Sequence, residues 1–205
     1  MSNLDTPKIE VVSENAARPT IEPHFDAFRK IIEESWNTWA ELGQKAPQLK
    51  APLSAHCRAR FIYDHIVFRA RAHFDGKKGV KIHEKHGFLI LNIDDKLTIR
   101  FKKLDDKRRT SNIPTRQQVL FSMQLEMPGM PSASRLVAGY QLDQLQLSIK
   151  EIAITCPVGR KVEWFISISE SAPNVTPIET TAVDLQPAIL KSTKPATKAQ
   201  KSNGA

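Results

Sequence analysis

Two neighbouring apolar patterns between residues 88 and 103 constrain the fold most. Residues 88–93, FLILNI, form a nearly continuous apolar run, which is typical of a buried strand. In residues 97–103, LTIRFKK, apolar side chains alternate with polar ones, as in a strand with one exposed face. The segment Asp94-Asp95-Lys96 between them favours a turn. Together these patterns predict a β-hairpin over residues 88–103, and therefore a chain built around a sheet.

Two amphipathic helices are predicted before this hairpin. Aromatic and aliphatic residues recur every three or four positions between Glu22 and Gly43. Core packing accounts for this stripe better than a ligand-binding aromatic face does, because aromatic side chains bury the most apolar area. Ser54 is a suitable N-cap for a second helix that ends near Phe74. This helix carries four arginines that either contact a phosphate backbone or form a solvated face: Arg58, Arg60, Arg69 and Arg71.

Further strands and one short helix complete the predicted architecture. Apolar or alternating segments predict strands at residues 80–83, 136–142, 147–155 and 162–168. Thr115 is positioned to cap a short helix. The predicted fold class is α+β, with two N-terminal helices packed on a mainly antiparallel sheet of about five strands and one short inserted helix.

Changes in composition divide the chain into three parts. Residues 1–21 are polar, contain two prolines and show no apolar period, so a flexible N-terminal arm is predicted. Residues 22–169 are predicted to form a single α+β domain. Residues 170–205 are rich in Pro, Thr, Ala and Lys and have no aromatic residue, so they are predicted to form a disordered C-terminal tail.

Positive charge is concentrated in the middle of the chain. The formal net charge is +8, and the segment from His56 to Thr110 contains fifteen lysines and arginines against seven acidic residues, a surplus of eight. This concentration predicts one basic surface that attracts an anionic partner. The sequence begins without a signal-like apolar segment and has no apolar run of about 20 residues. The predicted location is therefore the cytoplasm, with no membrane partner.

The stretch from Arg100 to Gln118, RFKKLDDKRRTSNIPTRQQ, is the densest group of ionisable and hydrogen-bonding side chains. One interpretation is an anion or nucleic-acid site at the start of the predicted helix, where free backbone N–H groups favour an anion. The other is a charged loop in which Asn112 forms a turn and Thr115 a cap. The first interpretation assigns anion or nucleic-acid binding to Arg69, Arg71, Lys102, Lys103, Arg108, Arg109, Asn112 and Thr115.

Motifs for metal binding and catalysis are weak or missing in the sequence. His83 and His86 are three residues apart, whereas a helical zinc site needs histidines four residues apart, so no metal is predicted. Glu84, Asp94, Asp95 and Lys96 could form a metal-dependent nuclease site, but turn geometry alone explains Asp94 and Asp95 better. The chain has no glycine-rich phosphate loop, nucleophile elbow or dinucleotide-binding fingerprint. No cofactor is predicted, no catalytic residue is assigned, and enzyme activity stays open.

Three short pieces of the sequence resemble a family of uncharacterised bacterial proteins. They are F-K-K-L-D at residues 101–105, N-x-P-T at residues 112–115 and G-Y-x-L-D at residues 139–143. Members of that family are often encoded beside a gene for a helix-turn-helix protein with an ImmA/IrrE-type metallopeptidase domain. The resemblance implies a two-gene toxin–antitoxin or phage-defence module. In such a module this chain would be the toxin or effector, with a cognate antitoxin or regulatory protein as its partner.

These observations lead to three functional hypotheses. The first is a cytoplasmic toxin or defence effector that acts through its basic surface, on a nucleotide or nucleic acid if it is an enzyme. The second is a non-enzymatic protein that binds nucleic acid or regulates another protein. The third is an interaction protein whose basic surface docks an acidic partner.

Overall fold

The fold is a six-stranded sheet with helices on both faces. The structure, a computed structural model, describes residues 7–85, 88–110 and 115–169. The helices, in chain order, are α1 (Glu14–Ile21), a 3₁₀ turn (Glu22–His24), α2 (Phe25–Lys45), α3 (Pro47–Lys50), α4 (Ala55–Phe74) and α5 (Arg116–Ser122). The strands are β1 (Val80–Lys85), β2 (Phe88–Ile93), β3 (Leu97–Lys103), β4 (Ser134–Leu142), β5 (Ile149–Val158) and β6 (Lys161–Ser167).

The strands lie in the sheet in the same order as in the chain, from β1 to β6. The parallel pair is β3 with β4, and the other four neighbouring pairs are antiparallel. The predicted α+β class is confirmed. The prediction of about five mainly antiparallel strands needs correction, since the described sheet has six strands and is mixed. The parallel pair arises because the connection between Lys103 and Ser134 includes α5 and is long enough to cross over.

The helices α2 and α4 cover one face of the sheet. The ring of Phe28 from α2 lies 5.7 Å from that of Phe74 from α4 and 5.8 Å from that of Phe101 from β3. All three side chains are buried, and aliphatic side chains surround them. The aromatic stripe of α2 is therefore part of the core, as its period predicts.

A smaller core lies on the opposite face, beneath α5. Leu120 and Phe121 of α5 pack there with Leu104, Met127 and Val137. Successive side chains of a strand point to opposite faces, so Phe101 enters the first core whereas its neighbour Arg100 enters the second. The guanidinium carbon of Arg100 lies 4.3 Å from the centroid of the Phe121 ring.

The segment before α1 is attached to the sheet. Ile9 is buried. The Ser134 hydroxyl donates to the Glu10 carbonyl at 2.6 Å and accepts from the Val12 N–H at 2.9 Å. The Trp164 indole N–H donates to the Val12 carbonyl at 2.8 Å.

These contacts attach residues 7–21 to the sheet, in the segment for which the sequence predicts a flexible arm. The attachment was not predictable because the three buried apolar positions, at residues 9, 17 and 21, are spread over strand-like and helical segments and show no single period. Residues 1–6 of that predicted arm and the predicted tail at 170–205 lie outside the described residues.

Candidate functional site

A cleft opens between the first turns of α4 and the ends of β3 and β4. Its volume is about 580 Å³, within the range of sites that bind small molecules. Because β3 and β4 are parallel, their carboxyl ends lie at the same edge of the sheet, which is where open parallel sheets commonly bind ligands. We call it the α4 cleft. Its polar lining includes Arg60, Tyr63, Lys102, Lys103, Asp105 and Asp143.

The α4 cleft lies where β2 and β3 separate. The two strands pair only between Leu91–Ile93 and Leu97–Ile99, although β2 continues to pair with β1 as far as Phe88. In the gap, the Leu89 N–H donates to the Tyr63 hydroxyl oxygen at 3.0 Å. Burial raises the pKa of Tyr63. The phenol therefore stays protonated at neutral pH and retains a hydroxyl proton that a ligand can accept.

Lys102 is a half-buried cation in the cleft wall. Its ammonium nitrogen lies 4.7 Å from the centroid of the Phe88 ring. Burial, and to a smaller extent the neighbouring Arg100 charge, lowers the pKa of Lys102 to about 8. Desolvation penalises the charged form of a lysine. An anion in the cleft would stabilise that charged form.

Further positive charges surround the amide of Gln146 beside the cleft. Arg58 donates to the Gln146 side-chain oxygen and, at 3.4 Å, to its backbone carbonyl. Lys103 donates to the same side-chain oxygen at 3.4 Å. Burial and the Arg58 charge lower the pKa of Lys103. Gln146 holds these two cations together without a negative charge, so their charge is not neutralised by it.

Three acidic residues line the α4 cleft, Asp105, Asp106 and Asp143, and two of them are engaged in local structure. The Asp143 carboxylate accepts from the backbone N–H groups of Leu147 and Ser148 and from the Ser148 hydroxyl. These bonds lower the pKa of Asp143. The Asp105 carboxylate accepts from the Arg109 guanidinium at 2.9 Å and from two backbone N–H groups. Both carboxylates serve as turn formers, and they offset part of the positive charge of the cleft.

Two of the predicted binding residues, Arg69 and Arg71, lie outside the cleft. Arg69 donates to the Glu34 carboxylate at 3.2 Å and to the Thr38 hydroxyl at 2.8 Å, and so ties α4 to α2. Arg71 forms an ion pair with Glu84 of β1. The structure therefore places both arginines in contacts between elements of the domain.

Arg108 and Arg109 lie beside a second cavity of about 600 Å³, between α5 and the β5–β6 turn. Arg108 forms an ion pair with Glu151 at 3.0 Å and stacks at 3.8 Å over the Phe165 ring. Arg109 pairs with Asp105 at 2.8 Å. This cavity also contains cations that were not among the predicted binding residues, Arg160 and Lys161.

The two remaining predicted residues concern α5. The Thr115 hydroxyl accepts from the Gln118 N–H at 3.3 Å and caps the helix, as the alternative interpretation of the sequence predicts. Asn112 lies outside the described residues. Of the eight predicted residues, the structure brings Lys102 and Lys103 together in one cleft, whereas the four arginines are held in separate ion pairs.

The single basic surface that the charge count predicts is therefore not formed by these arginines. Their partners Glu34, Glu84, Glu151 and Asp105 come from four different parts of the chain. Charge counting along a sequence misses such pairing, because it does not show which charges become neighbours and it leaves out acids beyond the counted segment, such as Glu34 and Glu151.

Sequence reasoning also missed several residues of the cleft. Outside the resemblance, no pattern of the sequence singles out Tyr63, Gln146 or Tyr140. The resemblance contained a usable signal: the structure places all five residues of F-K-K-L-D and three of G-Y-x-L-D in the lining of the α4 cleft. The parallel pairing of β3 and β4 brings these two pieces to the same edge.

Metal binding finds no support in the described part of the chain, which contains no group of three or more His, Cys, Asp or Glu side chains able to hold an ion. His86, the second of the two histidines considered as metal ligands, is outside that part.

Among the described helices, none combines the length and apolar character needed to cross a lipid bilayer.

Comparison with models of protein families, with curated proteins and with solved structures finds no match to this chain.

Proposed function

We propose that the α4 cleft binds an anionic ligand of nucleotide size. The observation that carries this proposal is the position of Lys102, a half-buried cation with its pKa lowered to about 8 in the wall of a cleft of about 580 Å³. Lys103 adds positive charge and the Tyr63 hydroxyl adds a donor, whereas Arg60 is paired with Asp64 at 3.0 Å. The aromatic ring of Phe88 offers a surface on which a nucleobase can stack.

A role as the toxin or effector of a bacterial toxin–antitoxin or phage-defence module is the wider function that we propose. Its support is the resemblance described above, whose pieces F-K-K-L-D and G-Y-x-L-D supply much of the cleft lining. In this role the protein acts on a nucleotide or nucleic acid bound in the cleft, and a cognate antitoxin or regulatory protein restrains it.

A non-enzymatic nucleic-acid-binding protein is the second candidate. The observation in its favour is the other cavity, where Arg108, Arg109, Arg160 and Lys161 line one surface with Asp105. A strand that follows this surface would contact cations from the loop after β3 and from the β5–β6 turn.

Binding of a fluorescent nucleotide, followed by anisotropy at low salt, tests the cleft directly. We expect the Lys102→Gln variant to bind about tenfold more weakly, since a charge-assisted hydrogen bond contributes roughly 1.5–3 kcal/mol. Lys45→Gln is the matched control, because Lys45 pairs with Glu41 on α2, outside the cleft lining. Equal affinities for the two variants, or no binding by the unmodified protein, would reject the proposal.

Single-stranded nucleic acid distinguishes the two candidates. If the second cavity is the binding surface, Arg160→Gln with Lys161→Gln weakens oligonucleotide binding and reduces its dependence on salt, while Lys102→Gln leaves it unchanged.

Expression in bacteria without a partner gene tests the toxin role. Growth arrest that Lys102→Gln relieves supports it, and normal growth with full expression of the soluble protein argues against it.

A further inference from the structure

Two arginines are buried beneath α5, on the sheet face away from α2 and α4. The residue exposures of Arg100 and Arg135 are 2% and 1%. One Arg135 nitrogen, Nη1, donates to the Leu120 carbonyl at 2.9 Å. Nη2 of Arg135 and both Nε and Nη2 of Arg100 are buried without a hydrogen-bond partner. The guanidinium carbon of Arg100 lies 4.3 Å from the centroid of the Phe121 ring, and that of Arg135 lies 5.7 Å from the same centroid.

No carboxylate of the described residues forms an ion pair with either arginine. Glu126 acts on Arg135 only from beyond ion-pair distance, and the charge of Arg100 opposes that of Arg135. The internal segments outside the description, residues 86–87 (HG) and 111–114 (SNIP), contain no acidic residue. Burial lowers the pKa of each arginine to about 10. Both therefore remain charged at neutral pH.

Neutral side chains beside the two arginines add further donors. Asn92 of β2 pairs in register with Thr98 of β3, and Thr98 pairs with Arg135 of β4. The three side chains therefore stand next to one another in a row across the same face. The Asn92 amide nitrogen and the Thr98 hydroxyl are both buried without a partner. The Gln117 amide nitrogen is also buried without a partner, one helical turn before Phe121 on α5.

Cation–π contact with the Phe121 ring, and of Arg100 also with the Phe88 ring, compensates only part of the loss of hydration of two guanidinium groups. The remaining groups need acceptors, and the most effective acceptor is one that also carries negative charge. A tetrahedral oxyanion has several acceptor oxygens, and the forked guanidinium matches two of them at once. Apolar side chains of similar volume would fill the same space without any charge to compensate. The arrangement of donors is therefore better explained by a ligand than by packing.

We propose that Arg100, Arg135, Asn92 and Thr98 bind a small oxyanion of the phosphate or sulfate class between the sheet and α5. This site is distinct from the α4 cleft. The Phe88 ring stands near both, at 4.7 Å from the Lys102 ammonium and 5.5 Å from the Arg100 guanidinium carbon. The unpartnered atoms are closed to solvent, so the anion enters when α5 moves away from the sheet.

Urea unfolding at constant ionic strength, in chloride or with increasing phosphate, tests this site. We expect the unfolding midpoint of the unmodified chain to rise with phosphate and to saturate as one site fills. In Arg135→Met the increase should be at least fivefold smaller, while Lys45→Gln, on the surface of α2, should keep it. Comparing variants in the same solutions removes the general stabilisation that phosphate gives to any protein. Equal increases in the unmodified chain and in Arg135→Met would overturn the proposal, whatever the fate of the α4 cleft.

The source of the oxyanion is resolved by a second series with sulfate and with AMP. A free oxyanion predicts a response to phosphate and sulfate but not to AMP, and a terminal phosphate group predicts a response to AMP. Each response supports the site provided that Arg135→Met reduces it at least fivefold. If Arg135→Met does not fold, Thr98→Val and equilibrium dialysis of the unmodified chain with radiolabelled phosphate replace it. Absence of saturable binding at millimolar phosphate, or unchanged binding by Thr98→Val, would then exclude the site.

Discussion

At the scale of single residues, Gly139 shows how closely Leu104, the residue after β3, packs against β4. A Cβ at this position would lie 2.5 Å from Leu104 Cγ, and Leu104 is buried in the core beneath α5. We therefore expect Gly139→Ala to lower the free energy of unfolding by about 1–3 kcal/mol, because a buried side chain must move. Gly43→Ala is the control: its new methyl meets only the flexible Lys50 side chain, and alanine favours a helix. Urea unfolding of both variants measures the difference, and equal stabilities would contradict it.

The half-buried ammonium of Lys102 predicts how the stability of the protein changes with pH. Its pKa is lowered to about 8, against about 10.4 in an unfolded chain. Between these values the unfolded state binds more protons than the folded state, so this residue makes stability rise with pH. Below pH 8 both states are protonated and its contribution is constant. Relative to Lys102→Met, the unmodified protein should therefore gain stability from pH 8 to 10, by at most about 1.4 kcal/mol per pH unit. Parallel stability curves, measured by urea unfolding, would refute the lowered pKa.

At the scale of elements, one hydroxyl provides a hydrogen-bond acceptor in the gap between β2 and β3. Tyr63→Phe removes the acceptor of the Leu89 N–H and leaves that donor unpaired in a half-buried place. A lost partner of this kind costs about 1–3 kcal/mol. We expect faster hydrogen exchange at the Leu89 amide and a loss of stability in this range, while amides in the pairing of Leu91 with Ile99 keep their relative protection. Unchanged exchange at Leu89 would show that this hydrogen bond is unimportant in solution.

Local elements were the most predictable part of this fold. The strands at 88–93 and 97–103 lie where their side-chain patterns predict them. The exposed face predicted for residues 97–103 is wrong, because Thr98 and Arg100 are buried beneath α5. Ser54 and Thr115 cap their helices by accepting from the backbone N–H three residues later. The parallel partner of β3 was not predictable, since no local pattern of the sequence indicates which strand a crossover reaches. The ion pairs of Arg69 and Arg71 were missed for the same reason. The sequence identified Lys102 and Lys103 as candidate binding residues. It did not predict the cleft that contains them, because the cleft forms between segments that are far apart in the chain, such as β3 and β4.

At the scale of the whole molecule, the surplus of positive charge is handled in two different ways. Surface arginines are paired with acids of neighbouring elements, as Arg71 of α4 is with Glu84 of β1. Such exposed pairs are individually weak, but they reduce the positive potential that a nucleic acid would meet. Arg100 and Arg135 are instead buried beneath α5, beside the neutral side chains of Asn92 and Thr98. The net charge of the chain is therefore not a measure of the positive charge on its folded surface.

The attachment of the N-terminal segment is the other property of the whole molecule that can be tested. Ile9 is buried, whereas the neighbouring Lys8 is exposed although its backbone forms a bridge with Leu125. Ile9→Ala should lower the free energy of unfolding by about 2–4 kcal/mol, and Lys8→Ala should leave it nearly unchanged. Because Trp164 donates to Val12 in the same segment, loosening this segment should also expose Trp164 to quenching by acrylamide. If Ile9→Ala and Lys8→Ala match each other in stability and in quenching, residues 7–13 do not hold this position in solution, and the sheet face around Ser134 is open instead of covered.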